Sequence, residues 1–200
     1  MKVEVSAIKA LDDFLEAAPE TTKQAASLAM NTVIPRSGMT RYKKAIRQQV
    51  AFDSGYLEAN DRFKVTRLSS PERLEAAIEA RQRPTSLARF ATSGAVGQEG
   101  LAVKVSPNRS VRMKKAFLVR LKAGTALNND NYNTGLAVRL PGGAFRNKKD
   151  TSRMVRLAKD VFLLYGPSVD QVFKAVAVTE TPIVLDEIEA EFYRQFGRLS

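Results

Sequence analysis

The chain has 200 residues and carries 32 Lys and Arg against 21 Asp and Glu, a formal net charge of +11. It contains no cysteine and no histidine. Disulfide scaffolds, thiolate zinc sites, histidine triads and imidazole general bases are therefore excluded. Hydrophobic content of 44% is that of a globular chain, and this length buries a core without metals or cross-links.

The spacing Ile8, Leu11, Phe14, Leu15, Ala18 predicts a helix over 7–18. The N-terminus, Met1-Lys2-Val3-Glu4, shows no apolar segment of a secretory signal. The uncharged run 24–35 is shorter than the roughly 18–20 apolar residues of a spanning helix, so no membrane association is expected. Pro19 breaks or restarts the first helix, because proline fits only a helix's first turn. A second helix to about Ile34 carries a narrow face of Ala25, Leu28, Ala29, Thr32 and Val33. Pro35-Arg36-Ser37-Gly38 reads as a break. A third helix over 40–52 places Tyr42, Ile46, Gln49 and Val50 on one side.

From about residue 62 the period becomes two. Residues 62–66 alternate as a half-buried strand. Residues 74–83 are ambiguous: alanines and glutamates favour helix, while Leu74, Ala76, Ile78 and Ala80 alternate. Strands follow at 101–105, with Leu101, Val103 and Val105 inward, at 116–122, with Phe117, Val119 and Leu121 on one face, and at 135–140, with Leu136, Val138 and Leu140 inward and Arg139 outward. Residues 161–165 are apolar on both faces, so this strand is either central or an edge covered by another subunit. After the turn Gly166-Pro167-Ser168, with Pro167 at a first helical position, a short helix is expected over 169–178. A last helix starts at Thr181-Pro182, with Thr181 as N-cap, Asp186 and Glu187 near its positive end, a stripe of Leu185, Ile188, Phe192 and Phe196, and Gly197 as stop. Segments 93–100, 123–135 and 141–150 read as loops and as the expected points of inter-subunit or partner contact.

The charge is uneven. Residues 101–160 carry 14 basic and 3 acidic side chains, whereas 161–200 carry 3 basic and 6 acidic. Opposite signs on two parts of one chain suit head-to-tail self-association, and a basic block suits an acidic surface or nucleic acid. Arg109, Arg112, Lys114 and Lys115 crowd one segment; Arg146, Lys148, Lys149 and Arg153 crowd another. With Arg139 they form the expected electropositive surface. Stacking platforms for single strands are not evident, and no helix-turn-helix or zinc-finger spacing appears. Non-specific nucleic-acid binding by the 101–160 block is the alternative function.

Catalysis finds little support. Segment 93–100 is glycine-rich but lacks the Gly-x-x-x-x-Gly-Lys-Ser/Thr pattern of a phosphate cradle. Glu75, Glu79, Glu99, Asp130 and Asp150 supply carboxylates for a magnesium site, yet no spacing singles out a pair. No cofactor, metal or catalytic residue is assigned.

Four segments in order resemble the minor tail protein Z family of tailed bacteriophages, the lambda-type tail completion proteins. They are the helical pair 7–34 ending in Met30-Asn31, then 83–90 (Arg83-Pro84-Thr85-Ser86-Leu87-Ala88-Arg89-Phe90), then Val103-Lys104-Val105 with a basic linker and 116–121, and finally Leu163-Leu164-Tyr165-Gly166-Pro167-Ser168-Val169 followed by Phe173. The resemblance covers roughly 7–178. Met113-Lys114-Lys115-Ala116 departs from an expected Pro-Gly turn, and 128–133 reads as an insertion.

The resemblance implies a non-enzymatic virion protein of the tail or head–tail junction, made in the bacterial host cytoplasm. It would act as a symmetric homo-oligomeric ring touching itself, other neck, tail or connector proteins, and packaged DNA. Leu164, Tyr165, Gly166, Pro167 and Ser168 are the expected oligomer contact. The expected fold is a single α+β domain over 1–200, with a helical part at 1–60, a sheet with basic loops at 61–165 and C-terminal helices at 166–200. The N-terminal helices would pack on an antiparallel or mixed sheet, with long inter-strand loops.

Overall fold

The structure, a computed structural model, describes residues 3–4, 19–95, 97–122, 132–141 and 153–200. The helix expected over 7–18, most of the loops 123–135 and 141–150, and Arg146, Lys148 and Lys149 lie outside them. The fold is α+β, and every strand pairing is antiparallel. In chain order the elements are β1 (Val3–Glu4), α1 (Glu20–Val33), α2 (Met39–Gln49), β2 (Phe63–Arg67), β3 (Ala77–Ala80), β4 (Leu101–Ser106), β5 (Arg109–Met113), β6 (Ala116–Lys122), β7 (Tyr132–Arg139), β8 (Met154–Ala158), β9 (Val161–Leu164) and α3 (Val169–Leu199). The chain divides into two compact units, 1–46 with 55–82 and 169–200, and 47–54 with 83–168. The three consecutive segments of the sequence are thus interleaved.

In the first unit, Pro19 precedes α1 in extended conformation, as a helix-starting proline should. The buried face of α1 is Ala25, Ser27, Ala29 and Val33, so it is rotated from the expected one: Leu28 is 39% exposed. The Ser27 hydroxyl donates to the Ser69 carbonyl, and Asn31 donates to that carbonyl and accepts from the Ser69 N–H, both at 2.8 Å. Asn31 of the Met30-Asn31 pair therefore clamps the chain leaving β2.

Pro35 to Gly38 does not break the helix. Ile34–Gly38 forms one widened π turn that joins α1 to α2. Such a bulge absorbs the missing proline N–H without ending the helix. A Cβ added at Gly38 would stand 3.3 Å from the Val33 carbonyl oxygen and 3.4 Å from Val184 of α3, so glycine permits the close approach there. Along α2, Met39, Tyr42, Ala45 and Ile46 are buried, whereas Gln49, expected on that side, is exposed.

The ambiguous segment 74–83 contains β3, the middle strand of the sheet β1-β3-β2. Pairing with β2 decides the matter: Phe63 lies opposite Ala80 and Val65 opposite Ile78. Tertiary pairing overrides the helical propensity of Ala and Glu.

The C-terminal part is one helix rather than two. Pro182 lies inside α3, Gly197 does not stop it, and Thr181 is no N-cap. The Thr181 hydroxyl instead meets the Tyr42 hydroxyl at 2.9 Å. Glu187 sits mid-helix, where Arg41 donates to it at 2.9 and 3.2 Å and also lies 3.6 Å from Glu180. Helix propensity on both sides, with these contacts to α2, outweighs one lost backbone hydrogen bond. Pro182→Ala should therefore stabilise the protein by about 1–2 kcal/mol, because it restores a helical N–H and removes a ring clash. A urea midpoint that moves down instead would mean the helix ends at 182. The expected apolar stripe is only partly covered: Leu185 is 49% exposed and Phe196 37%. No helix among the described residues is long and apolar enough to cross a membrane.

The second unit holds the hairpin β4-β5 and a four-stranded sheet of order β6-β7-β9-β8. Strand β7 lies between β6 and β9, and Leu136, Ala137 and Val138 are buried on both faces. Leu101, Val103, Ala116, Phe162 and Leu164 are buried as well, and Phe52 packs 5.6 Å from Phe90. The Ala51 N–H bonds the Val105 carbonyl and the Thr92 N–H the Ala102 carbonyl, so both edges of β4 are tied.

Candidate functional site

Two pieces of the family-like pattern, 83–90 and 163–169, meet inside the second unit. Ser86 and Tyr165 form an antiparallel bridge, and the Gly166 N–H bonds the Thr85 carbonyl at 2.7 Å. The Ser86 hydroxyl donates to the Thr134 carbonyl, linking the same segment to β7. A Cβ on Gly166 would stand 3.0 Å from the Phe90 ring, so the ring itself accounts for the glycine. Leu164, Gly166 and Ser168 are buried, while Tyr165 and Pro167 are half-buried. These five residues hold the exit of β9 onto 83–90 and leave little surface for a partner. Pro167 stands two residues before α3 rather than at its first position.

The apolar strand 161–165 also has its cover within the chain. Strand β9 lies between β7 and β8, so of the two possibilities it is the interior strand, and no neighbouring subunit is needed for it. Among the described residues the edge strand is β8, which the periodicity reading did not include. Its signal was present: Met154-Val155-Arg156-Leu157-Ala158 is followed by the Lys159-Asp160 turn and a second apolar run. Among the described residues β8 pairs only with β9. Val155 is 50% exposed and Leu157 48%. A bulge at 156–158 bends it, and the Arg156 guanidinium donates to the Ala158 and Lys159 carbonyls.

The opposite edge of the sheet is partly closed by the glycine loop. The Gly97 and Gly100 N–H groups donate to the Leu118 and Ala116 carbonyls of β6 at 3.0 and 2.9 Å. Both glycines have positive φ, +83° and +84°. Gly97 and Gly100 therefore cover part of the β6 edge from within the unit.

The basic segment before Phe117 is not a linker. Arg109–Met113 is strand β5, joined to β4 by the two-residue turn Pro107-Asn108. Arg109, Arg112, Lys114, Lys115 and Arg139 are all exposed, Arg139 on the outward strand face where it was expected. Arg139 lies over the Phe117 ring, 5.8 Å from its centroid. Of the acids considered for a metal, Glu75 is engaged by Arg67 at 2.6 Å and lies 3.5 Å from Arg73. Asp130 and Asp150 lie outside the described residues. Comparison with family models, curated proteins and solved structures finds no significant match.

Proposed function

We propose that the protein is a structural component of a tailed-bacteriophage virion, acting at the tail or head–tail junction as a homo-oligomer and not as an enzyme. The order of the four family-like segments supports the virion role. The observation that carries the self-association is the outer edge of β8, which among the described residues has no partner strand and which carries half-exposed Val155 and Leu157. Such an edge is a template for pairing with another chain. The partly covered β6 edge leaves β8 as the place where a neighbouring copy adds its strand.

Light scattering on the purified chain, with electron microscopy of particles carrying a labelled copy, tests this reading. The expected result is a defined oligomer and a label at the tail or neck. Val155→Asp with Leu157→Asp should weaken association by about tenfold or more, since about 1 kcal/mol of burial is lost at each position, while circular dichroism is retained. A concentration-independent monomer, absent from particles, would refute it.

A further inference from the structure

We infer that the β4-β5 hairpin is a binding site for double-stranded DNA that grips the phosphate backbone without reading sequence. The inference stands on the hairpin alone and does not need the virion role.

Five cations lie within twelve residues, Lys104 to Lys115, and no acidic residue occurs between Glu99 and Asp130. Lys104, Arg109, Arg112, Lys114 and Lys115 are all exposed. Among the described residues none of them has a carboxylate partner. The register sets their directions. Leu101 and Val103 are buried, and Ala102 lies opposite Arg112, so Lys104 and Arg112 leave from the same outward face. Arg109 marks the tip beside the Pro107-Asn108 turn, and Lys114 and Lys115 mark the base.

Like charges placed diagonally across a strand pair repel one another. An arrangement that costs stability in the free chain is offset when an anion of matching density lies along it. Duplex DNA supplies one charge per about 1.7 Å of axis, and its major groove, about 12 Å wide, admits a two-stranded ribbon. Residues 101–115 contain no aromatic side chain, so base stacking, the usual means of holding a single strand, is absent from the hairpin. The same want of stacking groups and of paired amide side chains leaves phosphate contact as the mode of binding.

The test is the salt dependence of affinity for a short random-sequence duplex, read by fluorescence anisotropy on the intact chain. Five phosphate contacts give a slope of log K against log salt of roughly −4.5. Lys104→Gln with Arg112→Gln should reduce it to about −2.7, and Lys114→Gln with Lys115→Gln should do the same. Arg36→Gln with Lys44→Gln removes equal charge from exposed positions of the first unit and should leave the slope unchanged. Equal loss in all three double variants would mean that net charge, not the hairpin, binds. Salt-independent or undetectable binding would overturn the site outright. Equal affinity for polyglutamate would overturn the nucleic-acid assignment in favour of an acidic protein surface.

Discussion

Phe173→Ala is expected to destabilise the first unit by about 3–5 kcal/mol, the range for removing a buried ring. Phe173 is 3% exposed in the second turn of α3. Its ring meets Tyr42 of α2 edge-on at 5.2 Å and Phe63 of β2 at 4.9 Å. One side chain therefore joins α2 and α3 to the sheet of that unit. Each aromatic pair adds about 0.5–1.5 kcal/mol beyond its buried area, so the loss takes a large share of the 5–15 kcal/mol that stabilises a typical domain. Phe173→Leu keeps most of the buried volume but loses both aromatic pairs, and should cost about 1–3 kcal/mol, less than the alanine variant. Urea unfolding followed by far-ultraviolet circular dichroism reads the loss. A loss below about 1 kcal/mol for the alanine variant would place the ring outside the core.

Gly94→Ala is expected to destabilise the second unit by about 3 kcal/mol, and Gly97→Ala by only about 1 kcal/mol. Both glycines have positive φ, +110° and +83°, so both substitutions meet the same kind of backbone strain. They differ in surroundings. A Cβ at Gly94 would fall 1.8 Å from a terminal carbon of Leu101, whereas nothing lies within 4 Å of one at Gly97. Leu101 is fully buried on β4, so its side chain would have to repack within the core to make room. The difference between the two variants isolates the steric part. Equal effects in thermal unfolding would show that Leu101 does not seat against Gly94. A large Gly94 effect would also disturb the β4-β5 hairpin, so DNA-binding tests belong on the surface variants alone.

The α+β class, α1, α2, β2, β4, β6, β7 and β9, and the outward direction of Arg120 and Arg139 were legible from sequence because each depends on local periodicity. Apolar residues at three- and four-residue spacing make a helix face, and alternation makes a strand face, whatever lies beyond. The charge excess of 101–160 and the want of cysteine and histidine are likewise properties of the chain alone. Tertiary structure decided the rest. Proline at 35 and at 182 signals a stop only when nothing repays the missing hydrogen bond; a π turn at the first site and contacts with Tyr42 and Arg41 near the second keep the helices running. Ala77 to Ala80 became a strand because β2 offered it a partner. Above all, order within a sheet is long-range. An apolar run such as 161–165 states that both its faces must be covered, but not by whom. Only the pairing of β9 with β7 and β8 placed Met154–Ala158 at the edge among the described residues and set the Tyr165-Gly166-Pro167-Ser168 stretch against 83–90.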